Sequence, residues 1–157
     1  MGRYKKNVPP KIKPAVKVSQ RVPAKSAPKQ QTLEQTLEQK RAEHAWTKSA
    51  EGVALHGKDY VNSVKGLPAL IMNSGLMQTL AFLQQKGGRH ELLSLHLRQW
   101  LKLQYGTSEA FEAFMQQLFE ATPQQFQSYN REAYAWLRWL RQMAAARLGD
   151  DKDSSHE

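Results

Sequence analysis

A chain of 157 residues is long enough for one domain with a real core and an extension, and too short for two ordinary domains. It has no cysteine, which excludes disulfides and thiolate metal sites and agrees with a reducing cytosol; no apolar signal segment follows the N-terminus, so the expected location is cytoplasmic, with no membrane partner. The net charge of +9 sits in one place: residues 1–30 hold nine Lys/Arg and no Asp or Glu, while the other 127 hold 14 of each sign.

Residues 1–30 also contain five of the seven prolines and show no apolar periodicity. Such a segment cannot bury enough surface to offset its conformational entropy, and it is expected to be a disordered arm. Lys11, Lys13, Lys17, Lys25 and Lys29 are spread among prolines and suit an arm lying on phosphates. Neutralising six to nine phosphates of a single strand would give a log–log salt slope of about −4 to −6. A solubilising extension without a fixed partner has the same composition.

Residues 31–149 carry helical periodicity and are expected to form a helical bundle domain, with an acidic tail at 150–157. Thr32 with Gln35 resembles a capping box. Ala42, Ala45, Trp46, Ser49 and Val53 then make a narrow stripe of mostly small residues that suits close helix packing. A second helix is expected from about Asp59 into the Leu-Pro-Ala-Leu-Ile-Met run, and a third from Leu76 to Lys86. Leu67, Leu70 and Ile71 before the joint Asn73-Ser74-Gly75, and Leu76, Leu80 and Phe82 after it, are the predicted core. Gly75 is the residue that allows the backbone to bend, and Pro68 fits a first helical turn or a kink. The longest uninterrupted apolar run here is six residues, against the ~20 a bilayer needs.

Gly87-Gly88 breaks the chain again. Residues 89–105 present Leu92, Leu93, His96, Leu97, Trp100 and Leu101 on one face, and Gly106 ends that helix. Thr107 or Ser108 is the expected cap of the next, whose apolar stripe is Phe111, Phe114, Met115, Leu118 and Phe119. Thr122-Pro123 is the strongest helix start in the chain, a capping hydroxyl before a proline. That helix is expected to run to about Leu148, burying Phe126, Tyr129, Ala133, Trp136, Leu137, Leu140 and Ala144. No segment alternates with period two, so the fold class is all-α, a single bundle of five or six helices.

Two motifs that suggest chemistry fail at the residues that would perform it. Gly52 to Asp59 matches a phosphate-binding loop except at its last position, where Asp59 replaces the hydroxyl that would bind magnesium, and no strand precedes it. His90-Glu91 opens like a zinc-protease motif, but Ser94 stands where the second ligand belongs. His96, on an apolar face, is expected to be a satisfied core residue. No catalytic or metal-binding constellation emerges, and no cofactor is implied.

One surface pattern is positive. Arg131, Tyr134, Arg138 and Arg141 share a stripe about 80° wide on the last helix, suited to phosphates and bases. Lys58, Asn62 and Lys65 form a smaller stripe. Trp139 lies off the centre of the apolar face, where a partly exposed indole could mark a protein contact.

The segment LPALIMNSGLMQTLAFL, Leu67 to Leu83, resembles the signature of the small subunit of type III-B CRISPR effector complexes, the Cmr small subunit. Tyr129-x-Arg131-Glu132-Ala133 leading to Trp139-Leu140-Arg141 and Ala144 is similar to that family's C-terminal helix, and the resemblance covers roughly residues 32–148. It implies a small helical protein that is not an enzyme. Copies of it would stack beside the backbone subunit and the large subunit and help hold a guide RNA–target RNA duplex. The extension at 1–30 departs from the family pattern. A reading from another class is a free-standing nucleic-acid-binding protein that works through this arm.

Overall fold

The computed structural model describes Gly2 and residues 34–153, with side chains through residue 149. The expected arm at 1–30, the Thr32 cap and the last residues of the acidic tail lie outside the described residues. Among those described the chain is all-α: α1 (Leu37–Lys65), α2 (Leu67–Lys86), α3 (Arg89–Tyr105), α4 (Phe111–Glu120) and α5 (Pro123–Asp153). α1 packs along α5 more extensively than any other pair, and α2 and α3 close the core against them.

The first helix opens four residues later than its expected cap. Thr36 Oγ1 accepts from the Gln39 amide at 3.2 Å, and Gln39 Oε1 accepts from the Thr36 amide at 2.7 Å, a complete capping box. Ala45 and Ser49 of the small-residue stripe are buried, whereas Trp46 is 39% exposed, with the Arg147 guanidinium 3.5 Å from its ring centroid. The phosphate-loop look-alike lies inside this helix. Gly57 has φ +53° and kinks it, and Gly52 lies where an added Cβ would stand 2.2 Å from the Tyr60 ring. Both glycines therefore serve packing and bending.

The expected second helix is cut at Gly66, and Pro68 falls in the first turn of α2, whose axis makes 76° with α1. The joint at Gly75 is real: its φ of +78° and ψ of 171° are open essentially to glycine alone. What completes the joint comes from α5. Asn130 Oδ1 accepts the Leu76 amide at 2.8 Å, and its Nδ2 donates to the Phe126 carbonyl at 2.8 Å. Thr79 Oγ1 donates to the Gly75 carbonyl at 2.8 Å, so both sides of the break are paired.

Leu67, Ile71, Leu76, Leu80, Trp136 and Leu140 are buried, and Leu70 is half-buried against them. Phe82 is not core; it is 38% exposed, because it lies about 120° round the helix from the Leu76 face. Lys86 covers its ring at 5.4 Å and His90 meets it edge-on. Phe119 is likewise 63% exposed, since α4 turns only Phe114 and Leu118 fully inward. α4 begins at Phe111 after Ala110, with no side-chain cap; Ser108 instead accepts from the Ala110 amide. Gly106 takes the left-handed conformation at φ +71° and closes α3. Thr122 and Gln125 form the second capping box. α5 then continues past Gly149, because glycine weakens a helix by about 1 kcal/mol without forbidding it.

At the centre Trp100 and Trp136 stack with centroids 6.5 Å apart, and the His44 ring touches both, at 5.0 and 5.4 Å. His96 is fully buried, as expected, and satisfied. Tyr60 Oη lies 2.9 Å from its Nδ1 and Glu51 Oε2 lies 3.1 Å from its Nε2. Burial pushes both imidazoles down to about 4, so they are neutral at pH 7.

The Asn130 bond has a stability consequence. Asn130→Ala leaves the buried Leu76 amide without its acceptor and should cost about 1–3 kcal/mol in urea denaturation. Arg131→Ala, one residue on and exposed, should stay within about 0.5 kcal/mol.

Candidate nucleic-acid interface

The surface stripe of α5 is held in place from below by its own buried neighbour. Glu132, 6% exposed, faces inward beside exposed Arg131. Its carboxylate receives Arg41 Nε at 2.8 Å and Nη2 at 2.6 Å, and Trp100 Nε1 at 3.0 Å. The hydrogen bonds to Glu132 raise the Arg41 pKa further, so the guanidinium stays charged at any working pH. Arg41 also donates to Glu38 through Nη1, and Trp139 Nε1 donates to Glu38 Oε2 at 2.8 Å. The Trp139 indole is therefore spent within the fold, which leaves its half-exposed ring and not its N–H at the surface.

This arrangement builds a surface cleft of about 470 Å³ between α1, α2 and α5. Tyr134, Arg138 and Arg141 line it, with Glu38, Pro68 and Trp139. The Arg138 guanidinium lies 5.8 Å from the Tyr134 ring centroid, a cation–π pair that orients the cation at the cleft wall. The structure thus brings three of the four stripe residues to one cleft. Arg131 is exposed but stands outside its lining, as do Lys58 and Lys65. Lys65 Nζ donates to Asn62 Oδ1 at 3.2 Å, so that smaller stripe is partly self-paired.

Glu38 is the one acid in the cleft lining. Hydrogen bonds from Trp139 and Arg41 hold its carboxyl below the ordinary range, so it stays charged. Asn130 was hidden at the variable position of the C-terminal motif, where nothing local signals a partner 54 residues away. Ser63 and His90 approach to 3.4 Å, but Ser63 Oγ donates to the Asp59 carbonyl and accepts from Arg89, which leaves no proton for the imidazole to take. Among the described residues no group of three His, Asp or Glu is placed to hold a metal ion, and no single helix is long and apolar enough to cross a membrane.

The fold belongs to a known class. The family CRISPR-associated protein (Cas_Cmr5) matches residues 37–147. The chain belongs to that family, the small helical subunits of type III-B CRISPR Cmr complexes. It is also similar to the X-ray crystal structure of a CRISPR-associated Cmr5 family protein from Thermus thermophilus, at 27% sequence identity and a TM-score of 0.63. The overlap covers 71% of this chain and 96% of that one. No curated protein matches the chain.

Glu38→Gln removes the only negative charge in the cleft lining while leaving an acceptor for Trp139. Binding of a single-stranded RNA oligomer to the purified chain should tighten about twofold at low salt, and the gain should vanish by about 1 M salt. Fluorescence anisotropy across a salt series measures both.

Proposed function

We propose that this chain is a non-catalytic structural subunit of a type III-B CRISPR effector complex, in which copies of it stack and help to hold target RNA. The observation that carries the reading is the family match, which spans residues 37–147 and so takes in all but the end of the helical body. The arrangement of charge supports it. Residues 31–157 balance 14 cations against 14 anions, so copies can approach without strong repulsion. Exposed Arg131, Arg138 and Arg141 with Tyr134 give one face of α5 the cations and the aromatic that phosphates and bases require.

In this role the partners are the backbone subunit, the large subunit, further copies of the chain and the guide RNA–target RNA duplex, in the cytoplasm. Arg138 and Arg141 supply phosphate contacts and Tyr134 a stacking edge; Lys58 and Lys65 extend the basic surface. The chain contributes positioning, and cleavage chemistry belongs to other subunits. Charge reversal tests the RNA face. Arg131→Glu, Arg138→Glu and Arg141→Glu together should weaken target-RNA binding of the reconstituted complex by about tenfold or more and flatten its salt slope. Unchanged affinity would show that RNA lies elsewhere.

A further inference from the structure

A second cleft, of about 470 Å³, opens between α3, the end of α2 and the start of α4. Its floor is Arg98, a guanidinium only 5% exposed. Arg98 Nε donates to the Ser94 carbonyl at 3.2 Å and Nη1 to the Glu109 carbonyl, while its plane lies over the Phe111 ring at 5.6 Å. No carboxylate among the described residues lies within ion-pair distance of it, and Nη2 makes no hydrogen bond there. Burial accordingly pushes its pKa down, with Glu91 and Glu109 near enough only to offset part of that. A second polar group in the same cleft is also unspent: Gln84 Oε1 is buried without a partner. The walls are Leu92, Leu95 and Phe111, and Glu91 stands in the lining.

A buried cation with spare donors, set among apolar walls, selects one carboxylate carried on an apolar body. A polyanion is disfavoured, since the cleft offers one recessed cation beside the negative Glu91. The chain carries a matching knob on its own surface. Phe119, 63% exposed, and exposed Glu120 are the last two residues of α4, whose first residue, Phe111, forms the cleft wall. Knob and cleft therefore sit at opposite ends of a ten-residue helix, about 15 Å apart along its axis. A contact between unlike surfaces of identical chains is not used up within a dimer, and it propagates as an open filament wherever its rotation does not close a ring.

From this juxtaposition we infer that the Arg98 cleft receives Phe119 and Glu120 of a second copy, and that this is the contact through which copies of the chain stack. It rests on the stacking reading above and gives it residues. Glu120 pairs with Arg98 Nη2, Phe119 fills the space between Leu92, Leu95 and Phe111, and Gln84 Oε1 accepts a backbone or side-chain donor from the incoming helix end.

Sedimentation of the full chain over a concentration series tests it with two single-sided variants. Phe119→Ser/Glu120→Lys alters only exposed side chains and removes the knob. Leu95→Asp blocks the cleft and offers Arg98 a carboxylate in cis. Wild type should self-associate with rising concentration, and each variant alone should need at least about tenfold more protein to do so. An equimolar mixture, which retains one intact knob and one intact cleft, should form a dimer and nothing larger. Wild-type-like association of the knob variant would overturn this contact and leave stacking through another face. A wild-type chain monomeric at every concentration would overturn both. Two monomeric variants that fail to pair when mixed would overturn the head-to-tail match, and loss of RNA binding without loss of association in Leu95→Asp would assign the cleft to nucleic acid instead.

Discussion

A single buried carboxylate fixes how the longest two helices meet. Glu132 on α5 is desolvated to 6% exposure, and a lone carboxylate there would be costly. It is tolerated because Arg41 of α1 reaches it with two donors and Trp100 of α3 with a third, so its oxygens are used from two other helices at once. The ion pair sets the register of α1 along α5, and the consequences run outward from it. Arg41 reaches on to Glu38, Glu38 holds the Trp139 indole, and the cleft with Arg138 and Arg141 is what that chain of contacts leaves open.

The same logic ties the Leu67–Leu83 run to the Tyr129–Ala133 stretch of α5. The Leu67–Leu83 run breaks at Gly75 in a conformation only glycine takes readily, and the amide just past the break needs an acceptor. Asn130 supplies it, from within the stretch that also contains Glu132. The two motifs are thus halves of one piece of construction. Both build the scaffold, while the side chains proposed to meet RNA or a neighbouring copy lie at exposed or recessed positions around it.

Most of the helices were legible in the sequence because periodicity and caps are local. Leu93, Leu97 and Leu101 recur at helical spacing, Gly106 and Thr122-Pro123 carry their own stop and start signals, and all fall where expected. Depth was less legible. Phe82 and Phe119 are as apolar as their neighbours, and only the angle of each helix against the bundle shows that they face outward. Long-range polar contacts were not legible at all. Asn130, Glu132 and Arg98 find partners 54, 91 and 11 residues away, and no spacing rule announces them. The candidate RNA stripe was read from one helix alone. The structure adds Glu38, brought from α1, and separates Arg131 from the other two arginines of that stripe.

The register of α1 on α5 depends on the Arg41–Glu132 pair, and a double-mutant cycle tests it. Glu132→Gln keeps an acceptor for Trp100 while discharging the pair, and Arg41→Met keeps the stem while removing the cation. Each alone should cost about 3–5 kcal/mol in urea unfolding, because each strands a buried polar or charged partner. The double variant should cost at least about 2 kcal/mol less than the sum of the two. Single losses below about 1 kcal/mol that add within about 0.5 kcal/mol would show that packing alone sets the register of α1 on α5, and would contradict the account.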